Sequence, residues 1–152
     1  MATDRGNMGK KTEASVFAWL TARSNADAGF AWHRFPDSRS ARGAIAAQPS
    51  DALVIWKGVG SVFLEIKESK EVSRLPKAKI GQYGILNKMD AAGALVRVVV
   101  YLSSFDKWVV LGNSDLFCHE VCPPSFSLRG PSYPTLEAIM TDVFGYIDRT
   151  AV

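Results

Sequence analysis

The stretch Gln48-Pro-Ser-Asp-Ala-Leu-Val-Ile-Trp-Lys-Gly-Val-Gly-Ser-Val-Phe-Leu-Glu-Ile-Lys67 decides how this chain folds. Two runs of β-forming residues, Ala52 to Trp56 and Val62 to Ile66, flank Gly-Val-Gly, which reads as a β-hairpin. With Lys57 facing Ser61 across the loop, Asp51 falls opposite Lys67 and Leu53 opposite Glu65. Alternation puts Ala52, Val54, Trp56, Val62, Leu64 and Ile66 on one face and Leu53, Ile55 and Phe63 on the other. Both faces are apolar, so the expectation is burial on both sides.

Asp51, Glu65 and Lys67 then gather at one end of a buried hairpin. Charges are costly there unless they are paired or hold an ion, which makes the cluster a candidate site. A plain salt bridge of Lys67 with either carboxylate is the other reading, and the short spacing alone leaves both open.

A chain of 152 residues, 47% hydrophobic and 22% charged, has the make-up of one globular domain with a real core. No apolar run approaches the roughly 20 residues that span a bilayer, and no signal-peptide pattern opens the chain, so a cytoplasmic protein is expected. Cys118, His119 and Cys122 lie close together, but His33 is the only other histidine, and free thiols fit better than a closed four-ligand zinc site. The formal charge of +3 permits a nucleic-acid partner without requiring one. Its distribution says more. Arg5, Lys10 and Lys11 precede the first apolar stripe, Arg34, Arg39 and Arg42 precede the hairpin, and Lys70, Arg74, Lys77 and Lys79 follow it. All could border the site and contact phosphates, or could be ordinary solvated charge.

Residues 1–10 read as a flexible basic tail and 11–152 as the single domain. A helix is expected from Thr12, with Glu13, Val16, Phe17 and Leu20 on one face, ending between Asn25 and Gly29. Glu13 in that first turn either complements the helix dipole or joins the site. A strand from Phe30 to Phe35 follows, then an exposed loop from Pro36 to Pro49. Beyond the hairpin a helix is expected over Lys77 to Ala92, with Gln82 the one polar member of its apolar stripe. Leu95 to Tyr101 and Trp108 to Leu111 read as strands, and Thr135 to Asp148 as an amphipathic helix carrying Leu136, Ile139, Met140, Val143, Phe144 and Ile147. This order makes an α+β, α/β/α sandwich with the hairpin central.

Pro49-Ser-Asp51 with Glu65-Ile-Lys67 resembles the signature of the PD-(D/E)xK nucleases, whose fold is a restriction-endonuclease-like sandwich. Over roughly Gly9 to Phe117 the resemblance is closest to the RecU-type Holliday junction resolvases. It takes in Gly-Lys-Lys-Thr-Glu13, Ser50-Asp51, Glu65-Ile-Lys67-Glu-Ser69, Arg74-Leu-Pro76, Gln82 and Trp108-Val-Val. What the resemblance implies is a Mg²⁺-dependent endodeoxyribonuclease, with Mn²⁺ able to substitute. Glu13, Asp51 and Glu65 would hold the metal, Lys67 would assist the attacking water, and Gln82 would stand nearby. Branched DNA would be the substrate and a homodimer the working form, since a four-way junction offers two equivalent strands. No membrane partner and no small-molecule cofactor are implied, and a nucleoid-associated protein, of host or phage origin, would fit. The chain departs from the pattern in its short segment between Pro36 and Gln48, where RecU-type enzymes carry a stalk. Ile80-Gly81 also stands where a histidine usually precedes the glutamine. Two alternatives remain: a restriction-like or repair nuclease without junction specificity, or a silent DNA-binding domain of the same fold.

Overall fold

A computed structural model describes residues 4–36, 48–117 and 120–150. The hairpin forms as β2 (Ala52–Trp56) and β3 (Gly60–Ser69). Its turn is Lys57-Gly58-Val59, closed by the Val59 amide donating to the Trp56 carbonyl at 2.9 Å. Gly58 and Gly60 have φ of 88° and 122°, values that a side chain would strain, which explains the Gly-Val-Gly. The pairing is Trp56 with Gly60 and Ala52 with Leu64, two residues away from the expected Lys57–Ser61 register. Leu53 therefore faces Phe63 rather than Glu65, and one step further along the ladder Asp51 comes level with Glu65 rather than Lys67. An even slip leaves every side chain on its expected face, so the cluster survives the correction.

The hairpin is the centre of a five-stranded sheet in the order β1-β2-β3-β5-β6. β1 (Phe30–Arg34) pairs antiparallel with β2 at the edge, β5 (Leu95–Leu102) runs parallel to β3, and β6 (Lys107–Leu111) returns antiparallel. β3 outlasts its partner. β2 covers it only from Gly60 to Leu64, whereas β5 follows it from Val62 to Ser69, so the stretch from Glu65 onward is paired on one edge only.

One face of the sheet is covered by α1 (Asp4–Ala26) and α4 (Leu136–Thr150). Val16, Leu20, Ile139, Met140, Val143 and Phe144 pack there on Ala52, Val54, Val62, Leu64, Ile66 and Val99, all buried. Across the other face, Val96, Val98 and Val100 meet Ile80, Leu86 of α2 (Tyr83–Ala91) and Leu116 of α3 (Asn113–Phe117). Leu75 and Phe126 of a small second sheet, β4 (Arg74–Pro76) with β7 (Ser125–Ser127), complete that layer. The architecture is the restriction-endonuclease-like sandwich expected from the sequence. The strands and helices expected from Leu95 onward stand where their periodicity placed them, to within a residue or two at each end.

Three further expectations are corrected. α1 begins at Asp4, so the described part of the segment read as a tail is helical. The hairpin is not buried on both sides: Ile55 is 49% exposed and Leu53 half-buried, because the second layer reaches β3 and β5 but does not extend over β2. The helix expected over Lys77 to Ala92 is two pieces, a 3₁₀ turn at Lys77–Lys79 and then α2, with buried Ile80 and Gly81 in the break and Gln82 at the N-cap of α2. β4 and β7 went unread because strands of three residues carry no usable period. No helix among the described residues is long and apolar enough to cross a membrane.

Candidate active site

Where β2 ends and β3 runs on, the sheet splits, and a cleft of about 740 Å³ opens at the split. Asp51, just before β2, and Glu65 and Lys67 on β3 line it together with Glu13 from α1 and Gln82 at the start of α2. The structure thus brings together all five candidate residues, from four separate elements. The Asp51 carboxylate takes the place of the missing strand, its Oδ2 accepting the Ile66 amide at 2.7 Å. That bond continues the ladder by one rung and fixes Asp51 beside Glu65.

Glu65 is only 7% exposed, and its Oε1 stands 3.0 Å from Lys67 Nζ. Burial pushes the Glu65 carboxyl up to about 7, with the negative charges of Asp51 and Glu13 adding to the rise and Lys67 opposing it. Burial on its own would lower the Lys67 ammonium, but Glu65, Asp51 and Glu13 outweigh it and hold the pKa above the usual lysine value. The cluster therefore keeps a cationic lysine beside a carboxyl that holds its proton more tightly than a free glutamate does. Ionised together, three acids around one ammonium carry an excess of negative charge that a further cation would relieve.

Among the described residues no three carboxylate, imidazole or thiolate groups are drawn together tightly enough to hold a metal as they stand. Glu65 spends one oxygen on Lys67 and Asp51 one on Ile66. The donor chemistry nonetheless fits a hard divalent cation: Asp51, Glu65 and Glu13 offer carboxylate oxygens, and the wall of the cleft adds the amide side chains of Gln48 and Gln82. Cys118 and His119 lie outside the described residues, and Cys122 is exposed.

Of the candidate DNA contacts, Lys10, Arg34 and Lys79 line the cleft. The Arg34 guanidinium rests 4.6 Å over the Phe17 ring, which stacks on Trp32 at 5.3 Å between centroids. A cation held in this way has little rotamer freedom to lose on meeting a phosphate. Lys11, Lys70, Arg74 and Lys77 are not at the cleft. Arg74 is engaged with Ser125 in the small sheet, Nε to Oγ at 2.6 Å, and Lys77 lies 4.7 Å over the Tyr83 ring. Arg5 belongs to the first turns of α1, and Arg39 and Arg42 lie outside the described residues. Sequence reasoning missed Phe17 and Gln48 as lining residues; Phe17 could have been found, since it stands one helical turn after Glu13.

No protein-family model and no curated protein sequence matches the chain. Among solved structures there is a clear likeness. The fold resembles that of a Holliday junction resolvase. That resolvase, from the archaeal hyperthermophile Archaeoglobus fulgidus, aligns with a TM-score of 0.52 and 21% identity over 88% of this chain and 99% of its own. At that identity the likeness to the archaeal resolvase is one of fold, spanning nearly the whole of both chains.

Proposed function

We propose that the protein is a metal-dependent endodeoxyribonuclease that hydrolyses phosphodiesters in branched DNA, four-way junctions foremost, and works as a homodimer. The observation that carries this reading is the convergence of Asp51, Glu65, Lys67, Glu13 and Gln82 at the one place where the sheet splits, on a resolvase-like fold. A structural salt bridge would need Lys67 and one carboxylate. It would not gather two more acids beside them, at a cost in repulsion and desolvation.

Asp51, Glu65 and Glu13 would hold Mg²⁺ or Mn²⁺, which supplies positive charge to the phosphate and to the departing oxygen. Lys67, kept cationic by its neighbours, donates hydrogen bonds to the incoming water and balances charge as the phosphorus becomes five-coordinate. Asp51 is held in place by its Ile66 bond, so it acts as the fixed member, while Glu65 exchanges Lys67 for the substrate assembly. Arg34, Lys10 and Lys79 steer and seat the phosphates either side of the cleft. A junction presents two equivalent strands, so paired cleavage calls for two sites related by a two-fold axis. RecU-type kinship and a phage origin fit this reading, as does a cytoplasmic, nucleoid-associated location.

The test is cleavage of a labelled four-way junction beside linear duplex of the same arm sequence, with Mg²⁺ or EDTA, for wild type and Lys67→Ala. Metal-dependent paired nicks in the junction, lost in the variant, support the full reading. Equal cutting of both substrates leaves a nuclease without junction selectivity, and no cutting by folded protein refutes the enzyme.

A further inference from the structure

The four-residue turn Ser103–Asp106 joins β5 to β6 at the sheet end towards which β3 carries Glu65 and Lys67. Phe105 at its tip is 60% exposed. The neighbouring Asp106 has a φ of 49°, the one non-glycine residue with positive φ among those described, a conformation that aspartate tolerates in turns. The turn is held firmly. The Phe105 amide donates to the Leu102 carbonyl at 3.1 Å, and the Tyr101 hydroxyl donates to Asp106 Oδ1 at 2.7 Å. Two more bonds tie it to the catalytic strand: the Ser103 amide donates to the Ser69 carbonyl at 3.0 Å, and the Ser104 hydroxyl to the Lys70 carbonyl at 3.0 Å.

We propose that Phe105 is a stacking contact for the exposed face of a nucleobase, which narrows the substrate to DNA interrupted by a branch or an unpaired segment. The inference rests on the nuclease reading above. Ser69 lies two residues beyond Lys67, about 7 Å along the strand, and β5 lies about 5 Å across. With the turn added, the ring stands about 10–15 Å from Lys67, three or four base steps of about 3.4 Å. Lys107, two residues on, is exposed, as is Lys70, whose carbonyl accepts the Ser104 hydroxyl, and the one acid of the turn, Asp106, is turned back onto Tyr101. A single ring is too small for a protein interface, but on a turn followed by an exposed lysine it suits a base with its phosphates. In continuous duplex every base face is already stacked. At a branch point or in a single strand one is free, and a ring on a pre-set turn loses little freedom in covering it.

The experiment measures binding in EDTA, where no cleavage intervenes, of wild type, Phe105→Ala and Phe105→Trp to a labelled four-way junction and to continuous duplex of the same sequence. Loss of one stacked base corresponds to about 5- to 150-fold weaker binding. Phe105→Ala should show that loss on the junction and less than about twofold on duplex, while Phe105→Trp keeps wild-type affinity. A 2-aminopurine placed at the branch should be quenched by wild type and not by Phe105→Ala. Equal loss on both DNAs, or none, overturns the proposal. So does a change in sedimentation of DNA-free Phe105→Ala, which would make the ring a protein contact. Wild type that cuts junctions while Phe105→Ala binds them undiminished sinks only the stacking role, whereas wild type that binds no DNA sinks the nuclease reading itself.

Discussion

Replacing Glu65 by glutamine removes a carboxyl whose pKa the fold raises to about 7, and the consequence is calculable. Its pKa rises from 4.5 to about 7 on folding, and each pH unit is worth about 1.36 kcal/mol, so ionising Glu65 in the folded protein costs about 3 kcal/mol of stability. Between those two pH values the folded chain binds a proton that the unfolded chain has released. The contribution is therefore fully present below about pH 4.5 and is lost as pH rises through about 7. Glu65→Gln is neutral throughout and keeps Asp51 and Glu13 near Lys67, so it lacks this decline. Urea unfolding in EDTA at half-unit steps from pH 4.5 to 8.5 should show wild type losing about 3 kcal/mol relative to the variant. Adding Mg²⁺ at pH 8 should recover part of that loss for wild type alone, because an ion that binds the folded state stabilises it. Parallel stability curves for the two proteins would refute the raised carboxyl. The cluster would then be an ordinary ion pair.

Asp51→Asn should abolish cleavage and leave junction affinity in EDTA within about threefold, measured by anisotropy, since Asp51 serves the chemistry more than the grip. Single substitutions of Lys10, Arg34 or Lys79 by alanine should each lower the slope of log affinity against log salt by about one, as expected when one phosphate contact is lost. Lys77→Ala, whose ammonium is committed to the Tyr83 ring away from the cleft, should leave that slope unchanged. Leu64→Ala empties a fully buried position at the centre of the sheet and should cost about 2–5 kcal/mol by urea unfolding, without shifting the cleavage pattern of the protein that remains folded.

The sequence alone determined the hairpin and its faces, because alternation is a property of the strand and survives a slip of two residues: Glu65 and Lys67 share a face in any register the turn allows. It determined the β5 and β6 strands and the long C-terminal helix, whose apolar periods are sustained, and the five catalytic candidates it named all line the cleft. Only the tertiary structure decided that Asp51 meets Glu65 rather than Lys67, since the glycine at either end of Gly58-Val59-Gly60 permits more than one loop and the choice depends on packing against α1 and β5. It alone decided that Gln82 stands at the N-cap position of α2 instead of lying within a longer helix, since buried Ile80, with φ −94° and ψ 85°, leaves the helical conformation just before it. Which cations reach the cleft was equally illegible: Lys10 and Lys79 do and Lys77 does not, although all three read alike along the chain. Charge carries no period, so its place in space is set by the elements that happen to bear it.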